Sequence, residues 1–169
     1  MVIRQLTEAD AAIFRAMRLH SLREAPHAFT NSYEEYSHQA LESTAQRFRD
    51  QVNSHVNFTL GAFVDEQLVG SVGFFRETAL KTQHKGTIVS MYVLPEYRSQ
   101  GIARALLTEA IDRARRLPGV TQILLGVMET QATAKHLYES LGFVVYGREP
   151  HAIKIGDEYF DEEFMVLKL

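Results

Sequence analysis

The chain has 169 residues, a formal net charge of −3 and no cysteine. Its length suits one domain over residues 1–169 that needs no covalent staples. The missing cysteine excludes a disulfide framework, a thiol nucleophile and a cysteine-held metal, and the negative charge speaks against a nucleic-acid platform built on clustered lysine and arginine.

Val2–Gln5 reads as a short strand. Thr7 with Asp10 three residues on resembles a capping box, with Asp where Glu or Gln is usual, and opens a helix to about Glu24. Ile13, Phe14, Met17 and Leu22 supply its buried face, and Pro26 marks the break. Residues 28–36 form an irregular or short helical connection, and a second helix with a thin apolar side covers about Glu42–Gln51. Phe58–Val64 and Leu68–Phe75 flank Asp65-Glu66-Gln67 as a hairpin. A polar loop, Arg76–Lys85, leads to the apolar, β-branched strand Ile88–Leu94, which Pro95 stops because it has no N–H for a ladder.

After the loop Glu96–Gln100 a helix begins near Gly101, with Ala103, Leu107, Ala110, Ala114 and Leu117 in one stripe. Arg113, Arg115 and Arg116 suit the negative end of that helix, before Pro118-Gly119. Thr121–Val127 is the next strand. A helix crossing between it and Ile88–Leu94 requires parallel pairing, so the sheet is mixed. Ala134, Leu137, Tyr138 and Leu141 share a helical face that Gly142 ends in a left-handed cap. Phe143–Tyr146 is a further strand, and the alternation around Gly156-Asp157 predicts a closing hairpin. The acidic residues Asp157, Glu158, Asp161, Glu162 and Glu163 read as a solvated face, with attraction of a cationic amine as the alternative.

The seven histidines show no paired helical spacing, so no metal site is predicted. No apolar run approaches the roughly 20 residues a bilayer needs, and no basic leader precedes an apolar core, so a cytoplasmic protein without membrane contact is expected.

The stretch from Ser90 to Leu107 has the makings of an anion cradle. N–H groups in the first turn of a helix lack internal partners, and the helix dipole adds partial positive charge there. Gly101 and Ala103 keep the approach open, and Arg98 supplies a full charge beside it. An ordinary βα turn with a surface arginine accounts equally well for these residues taken alone.

Two ordered motifs add a resemblance. Arg98-Ser-Gln-Gly101-Ile-Ala103 fits the R/Q-x-x-G-x-G/A motif of the GNAT N-acetyltransferase superfamily and follows a similar YV-x-P-x-Y strand end. Ala134-Lys-His-Leu-Tyr138-Glu-Ser-Leu-Gly142-Phe143 resembles that family's A-x-x-L-Y-x-x-x-G-F segment, and the likeness is best over Gly61–Tyr146. The resemblance implies an α/β fold: a central twisted sheet, mixed but mostly antiparallel, with a splayed parallel pair and flanking helices. It implies acetyl-coenzyme A as co-substrate, its arm on the main chain of Met91, Tyr92 and Val93. Its phosphates would meet Arg98, Ser99, Gln100, Gly101, Ile102, Ala103 and Arg104.

By the same likeness Tyr138 is the acid that serves the departing thiolate, and Ala134 matters by being small. Gln131 stands where the family often has asparagine, seven residues before the tyrosine. A base must deprotonate an amine of pKa about 10.4 before attack; Glu129 is one candidate, and Glu34 and Glu35, which the resemblance places near the acceptor, are others. The implied reaction is direct acetyl transfer to a primary amine of a small molecule, since no cysteine can form an acyl-enzyme. A peptide or protein N-acetyltransferase and a non-catalytic acyl-coenzyme A sensor are the alternatives. A second copy of the chain is also a candidate partner, as dimerisation fits such a family.

Overall fold

The computed structural model describes residues 1–169. β1 (Val2–Gln5), β2 (Phe58–Val64), β3 (Gln67–Arg76) and β4 (Lys85–Val93) pair antiparallel in chain order. β5 (Gln122–Met128), β7 (Glu158–Lys168) and β6 (Val144–Ile155) form a second antiparallel set in that spatial order. β4 and β5 join the two sets as the one parallel pair of a seven-stranded sheet. The mixed, mostly antiparallel architecture expected from the sequence is the one observed.

Strand alternation sends neighbouring residues to opposite faces. Val69 and Val93 join the larger core with Leu106, Leu107 and Ala110 of α4 (Ile102–Arg116) and Tyr138 of α5 (Ala132–Ser140). Leu68 and Tyr92 turn the other way, to Phe14 of α1 (Ala11–Glu24) and Phe48 of α3 (Leu41–Ser54). The Phe14 and Phe48 rings meet edge to face at 5.1 Å, which fixes α1 on α3 and adds about 1 kcal/mol beyond area burial. A short α2 (Tyr33–Ser37) links them. No helix is long and apolar enough to cross a membrane.

Several boundaries and faces differ from the sequence reading. The Thr7 N–H and hydroxyl both donate to Asp10 Oδ2, at 2.9 and 3.0 Å, but the turn they close is a 3₁₀ turn that runs into α1 at Ala11. Ile13 is exposed, because the buried stripe of α1 runs through Ala11, Phe14, Met17, Arg18, Ser21 and Leu22 and passes one residue to its side. α4 buries Ile102, Leu106 and Ile111 as well as Leu107, Ala110 and Ala114, leaving Ala103 and Leu117 at its border. The strand expected over residues 143–146 and the first arm of the closing hairpin are one strand, β6. Its two register breaks, at 145–147 and 149–153, interrupt the alternation on which the sequence reading relied.

Candidate active site

β4 and β5 pair only from Lys85 with Gln122 to Thr87 with Leu124, and beyond that they diverge. β4 stays hydrogen-bonded to β3 as far as Val93, and β5 to β7 as far as Met128. Each therefore turns one unpaired strand edge toward the other across a wedge that opens at their carboxyl ends. A bulge sharpens the divergence: three steps on β4, Tyr92 to Val89, oppose two on β3, Ser71 to Gly73, with Ser90 at φ 53°. A left-handed serine costs about 1–2 kcal/mol, and such strain is kept where it re-aims main-chain groups. Ser90 and Met91 lie inside this bulge and Tyr92, paired with Ser71, bounds it, so the main-chain N–H and C=O groups of Met91 are directed by it.

At the open end of the wedge the loop after β4 carries two further left-handed residues, Ser99 at φ 61° and Gly101 at φ 79°. From Ser99 to Arg104 no main-chain N–H donates to a main-chain acceptor, and the first helical bond is from Ala105 to Gly101 O at 3.0 Å. Successive unpartnered N–H groups capped by a helix N-terminus bind anions. A Cβ built on Gly101 would meet no protein atom within 4 Å, so the open volume in front of it is bounded by nothing but the loop.

The side chains of this loop behave differently from the sequence expectation. Arg98 does not extend over the cradle. It turns back onto Glu24 at the end of α1, Nη1 to Oε1 at 3.1 Å and Nη2 to Oε2 at 2.8 Å, and its Nε donates to Val93 O at 3.1 Å. The Glu24 carboxyl is held below the usual carboxylate range mainly by that guanidinium. Arg104 donates to the Ser140 hydroxyl at 2.8 Å, tying α4 to α5, and Gln100 donates to Glu96 O at 3.2 Å. Positive potential at the loop thus comes from main-chain N–H groups and from Arg104, which has no ion pair, while the charge of Arg98 is answered by Glu24.

Tyr138 lies in the larger core beside Phe143, ring centroids 6.0 Å apart. Burial alone pushes its phenol up to about 12, so it is protonated throughout the neutral range. Gln131 occupies the N-cap position of α5, its amide only 3.5 Å from the Thr130 hydroxyl, and Ala134 packs at the border of the same core.

The carboxylates singled out in the sequence are separated. Glu129 Oε2 pairs with Arg148 at 2.9 Å and its Oε1 accepts the Asp161 N–H at 3.2 Å, an arrangement that ties the end of β5 to β6 and β7. Glu35 caps α2: its Oε2 accepts from Ser32 N–H and its own N–H donates to Ser32 Oγ, both at 3.1 Å. Glu34 lines a cavity of about 550 Å³ between the segment after α1 and the β6–β7 tip, with Arg23, Phe29, Tyr33 and Lys154.

Sequence reasoning passed over Glu162. On β5, Ile123, Leu125 and Val127 face the larger core, so Gly126 faces the side of α1 and α3. Gly126 is exposed beyond the end of the β4–β5 pairing, and a Cβ placed there would overlap the Glu162 carboxylate. Glu162 thus occupies, from β7, the space a β5 side chain would fill. Burial first, and the Glu149 charge second, push its carboxyl up, and no cation opposes them. A signal was present: Phe160, Glu162 and Phe164 alternate to one face, which separates Glu162 from the acidic run around it.

The Acetyltransferase (GNAT) family matches residues 18–143. The chain belongs to that family. As a GNAT protein it is 35% identical over 80 residues to an L-amino acid N-acyltransferase of Escherichia coli, covering 47% of this chain and 46% of the relative. It is 42% identical over 59 residues to the ribosomal protein bS18-alanine N-acetyltransferase of the same species, over 35% and 39% of the two chains. The aligned part thus spans under half the length of these curated relatives. Among solved GNAT structures, one from Streptococcus pneumoniae superposes with TM-score 0.92 at 23% identity over 99% of both chains. A Salmonella typhimurium protein solved with acetyl-CoA as its cofactor superposes at 0.86, with 22% identity over 99% of this chain and 93% of that one. At such identities these two show a shared fold.

Proposed function

We propose that this GNAT protein transfers acetyl from acetyl-coenzyme A directly to the primary amine of a small molecule. The observation that carries the reading is the β4–β5 wedge, with Tyr138 in the core on one face of the sheet and Glu162 against Gly126 on the other. The free N–H groups of Ser99 to Arg104 suit a pyrophosphate, and the strand edges at Met91 and Tyr92 suit an amide-bearing arm. When bound, acetyl-coenzyme A supplies a thioester whose acyl carbon the amine attacks and whose sulfur leaves.

The residues divide the proton traffic. Glu162, with a raised pKa and no cation partner, accepts the proton that the ammonium must lose. The main-chain N–H of Met91, in the bulge, stabilises negative charge developing on the acyl oxygen. Tyr138 keeps its proton to high pH and donates a hydrogen bond to the thiolate, whose conjugate thiol has pKa about 8.5. A C–N bond forms and the C–S bond breaks; of the two protons the ammonium loses, one passes to Glu162 before attack and the other leaves the adduct nitrogen for the departing sulfur, which is released as the thiol. Glu129 then serves as a brace for β7 instead of a base.

The named relatives act on L-amino acids and on a ribosomal-protein alanine. The test is thiol release from acetyl-coenzyme A against amino acids, polyamines, aminoglycosides and N-terminal peptides, beside calorimetric titration of coenzyme A. Amine-dependent release is expected. Tight binding with no release on any acceptor would turn the reading toward a sensor, and absence of binding would remove it.

A further inference from the structure

The acceptor-side helices bury positive charge that no acid answers. Arg18, on the inner face of α1, is 8% exposed, forms no ion pair and leaves Nη1 without a partner. Its guanidinium lies 4.1 Å over the Phe29 ring, whose own centroid is 6.3 Å from that of Tyr92 beside the β4 bulge. Arg47 of α3 stands 5.3 and 5.2 Å over the Phe14 and Phe48 rings, with Nε and Nη2 buried and unpartnered. Tyr36, 7% exposed, leaves its hydroxyl unpartnered as well.

These groups sense one another. Burial lowers Arg18 to about 10, Tyr36 opposes the shift and Arg47 adds to it, so Arg18 remains charged at neutral pH and no carboxylate contributes. An isolated buried guanidinium costs several kcal/mol, and two within Coulomb range cost more. Arg47 and Gln51 line a cavity of about 580 Å³, while Arg18 lies behind Phe29, which lines the second cavity beside Glu34. Of the acids on the first cavity, Glu42 pairs with Arg49, and Asp50 accepts from the neutral Gln46 amide at 2.8 Å and forms no ion pair with Arg47.

We propose that Arg18, Arg47 and Tyr36 bind a carboxylate of the acceptor, so that the amine acetylated belongs to a carboxylate-bearing molecule. The proposal rests on the acetyl-transfer reading. A planar carboxylate matches the forked donors of arginine, and a single negative charge is cheaper to desolvate than a doubly charged phosphate. Placed there, the acceptor spans from the arginines on α1 and α3, past Phe29, to the wedge at Tyr92, with Glu162 on the far wall. Polyamines and aminoglycosides carry no group for this anchor and are excluded as good acceptors.

The test compares each amino-acid acceptor with its amide and its decarboxylated amine, in wild type, Arg18→Met and Tyr36→Phe. The wild type is expected to prefer the acid by about 10–100-fold in kcat/KM, the range of charge-assisted hydrogen bonds. Arg18→Met should erase that preference through KM, and Tyr36→Phe should reduce it by about 5-fold. Because Arg18→Met removes an unanswered buried charge, the ligand-free variant should melt no lower than wild type. An active wild type indifferent to the carboxylate would overturn the proposal, and so would a preference that survives Arg18→Met. If no amine is acetylated, acetyl transfer fails separately. The anchor is then judged by the melting temperature in hexanoate and in inorganic phosphate: a rise in hexanoate that Arg18→Met abolishes supports it. A rise in phosphate alone, or none, refutes it.

Discussion

The two sides of the wedge are built from different materials. On the α4 side the groups that would meet a cofactor are main-chain N–H and C=O, aimed by three left-handed residues, Ser90, Ser99 and Gly101, all within twelve positions. On the α1 side the chemistry belongs to side chains brought together from distant segments: Glu24 with Arg98, Glu162 over Gly126, and Arg18 with Arg47. Main-chain sites tolerate side-chain change and suit an invariant ligand. Side-chain walls can be exchanged one residue at a time, which is how one fold takes many acceptors.

The proton-handling residues give the largest expected effects. Glu162→Gln should lower kcat/KM about 100-fold near neutral pH, and Tyr138→Phe should lower kcat by a similar factor with coenzyme A affinity kept. Equal rates for either variant with a good acceptor would remove its assigned role. The acid limb of the kcat/KM profile should lie above the ordinary carboxylate range, since burial and Glu149 both disfavour ionised Glu162. Glu149→Gln removes a like charge, which favours the ionised form, so that limb should move to lower pH; a stationary limb would assign it to another group.

Next in size is the cradle. Gly101→Val places a β-branched residue at φ 79° and a side chain in the open volume, so calorimetry should show coenzyme A binding about 30-fold weaker. Arg98→Met should weaken it less than about 5-fold, because Glu24 already neutralises that guanidinium. The reverse order would return the phosphate contact to the side chain.

The smallest effect concerns the frame. Arg4 holds the Asp10 carboxyl down at about 2. A lowered folded-state pKa gives stability that is full above the unfolded value near 3.9 and is lost as pH falls toward 2. Asp10→Asn should therefore cost about 1 kcal/mol at pH 7, since solvent around the half-exposed Arg4 screens the pair. The variant and wild type should draw together in stability as pH falls through about 2.

The sequence by itself determined the strand, loop and helix start from Ser90 to Leu107, because its rules are local: Pro95 stops a ladder, a glycine begins a helix in a left-handed turn, and small residues recur at helical spacing. It also fixed the parallel crossover and the cap at Gly142, which has φ 95°. Tertiary structure alone decided how far β4 and β5 stay paired, that Arg98 turns away to Glu24 some 74 positions off, and that Glu129 is spent on Arg148. It also decided that Glu162, one of five acids in a seven-residue run, is the one that reaches the wedge. Main-chain geometry is written in neighbouring residues, whereas the partner and burial of a charged side chain depend on whichever distant segment packs against it.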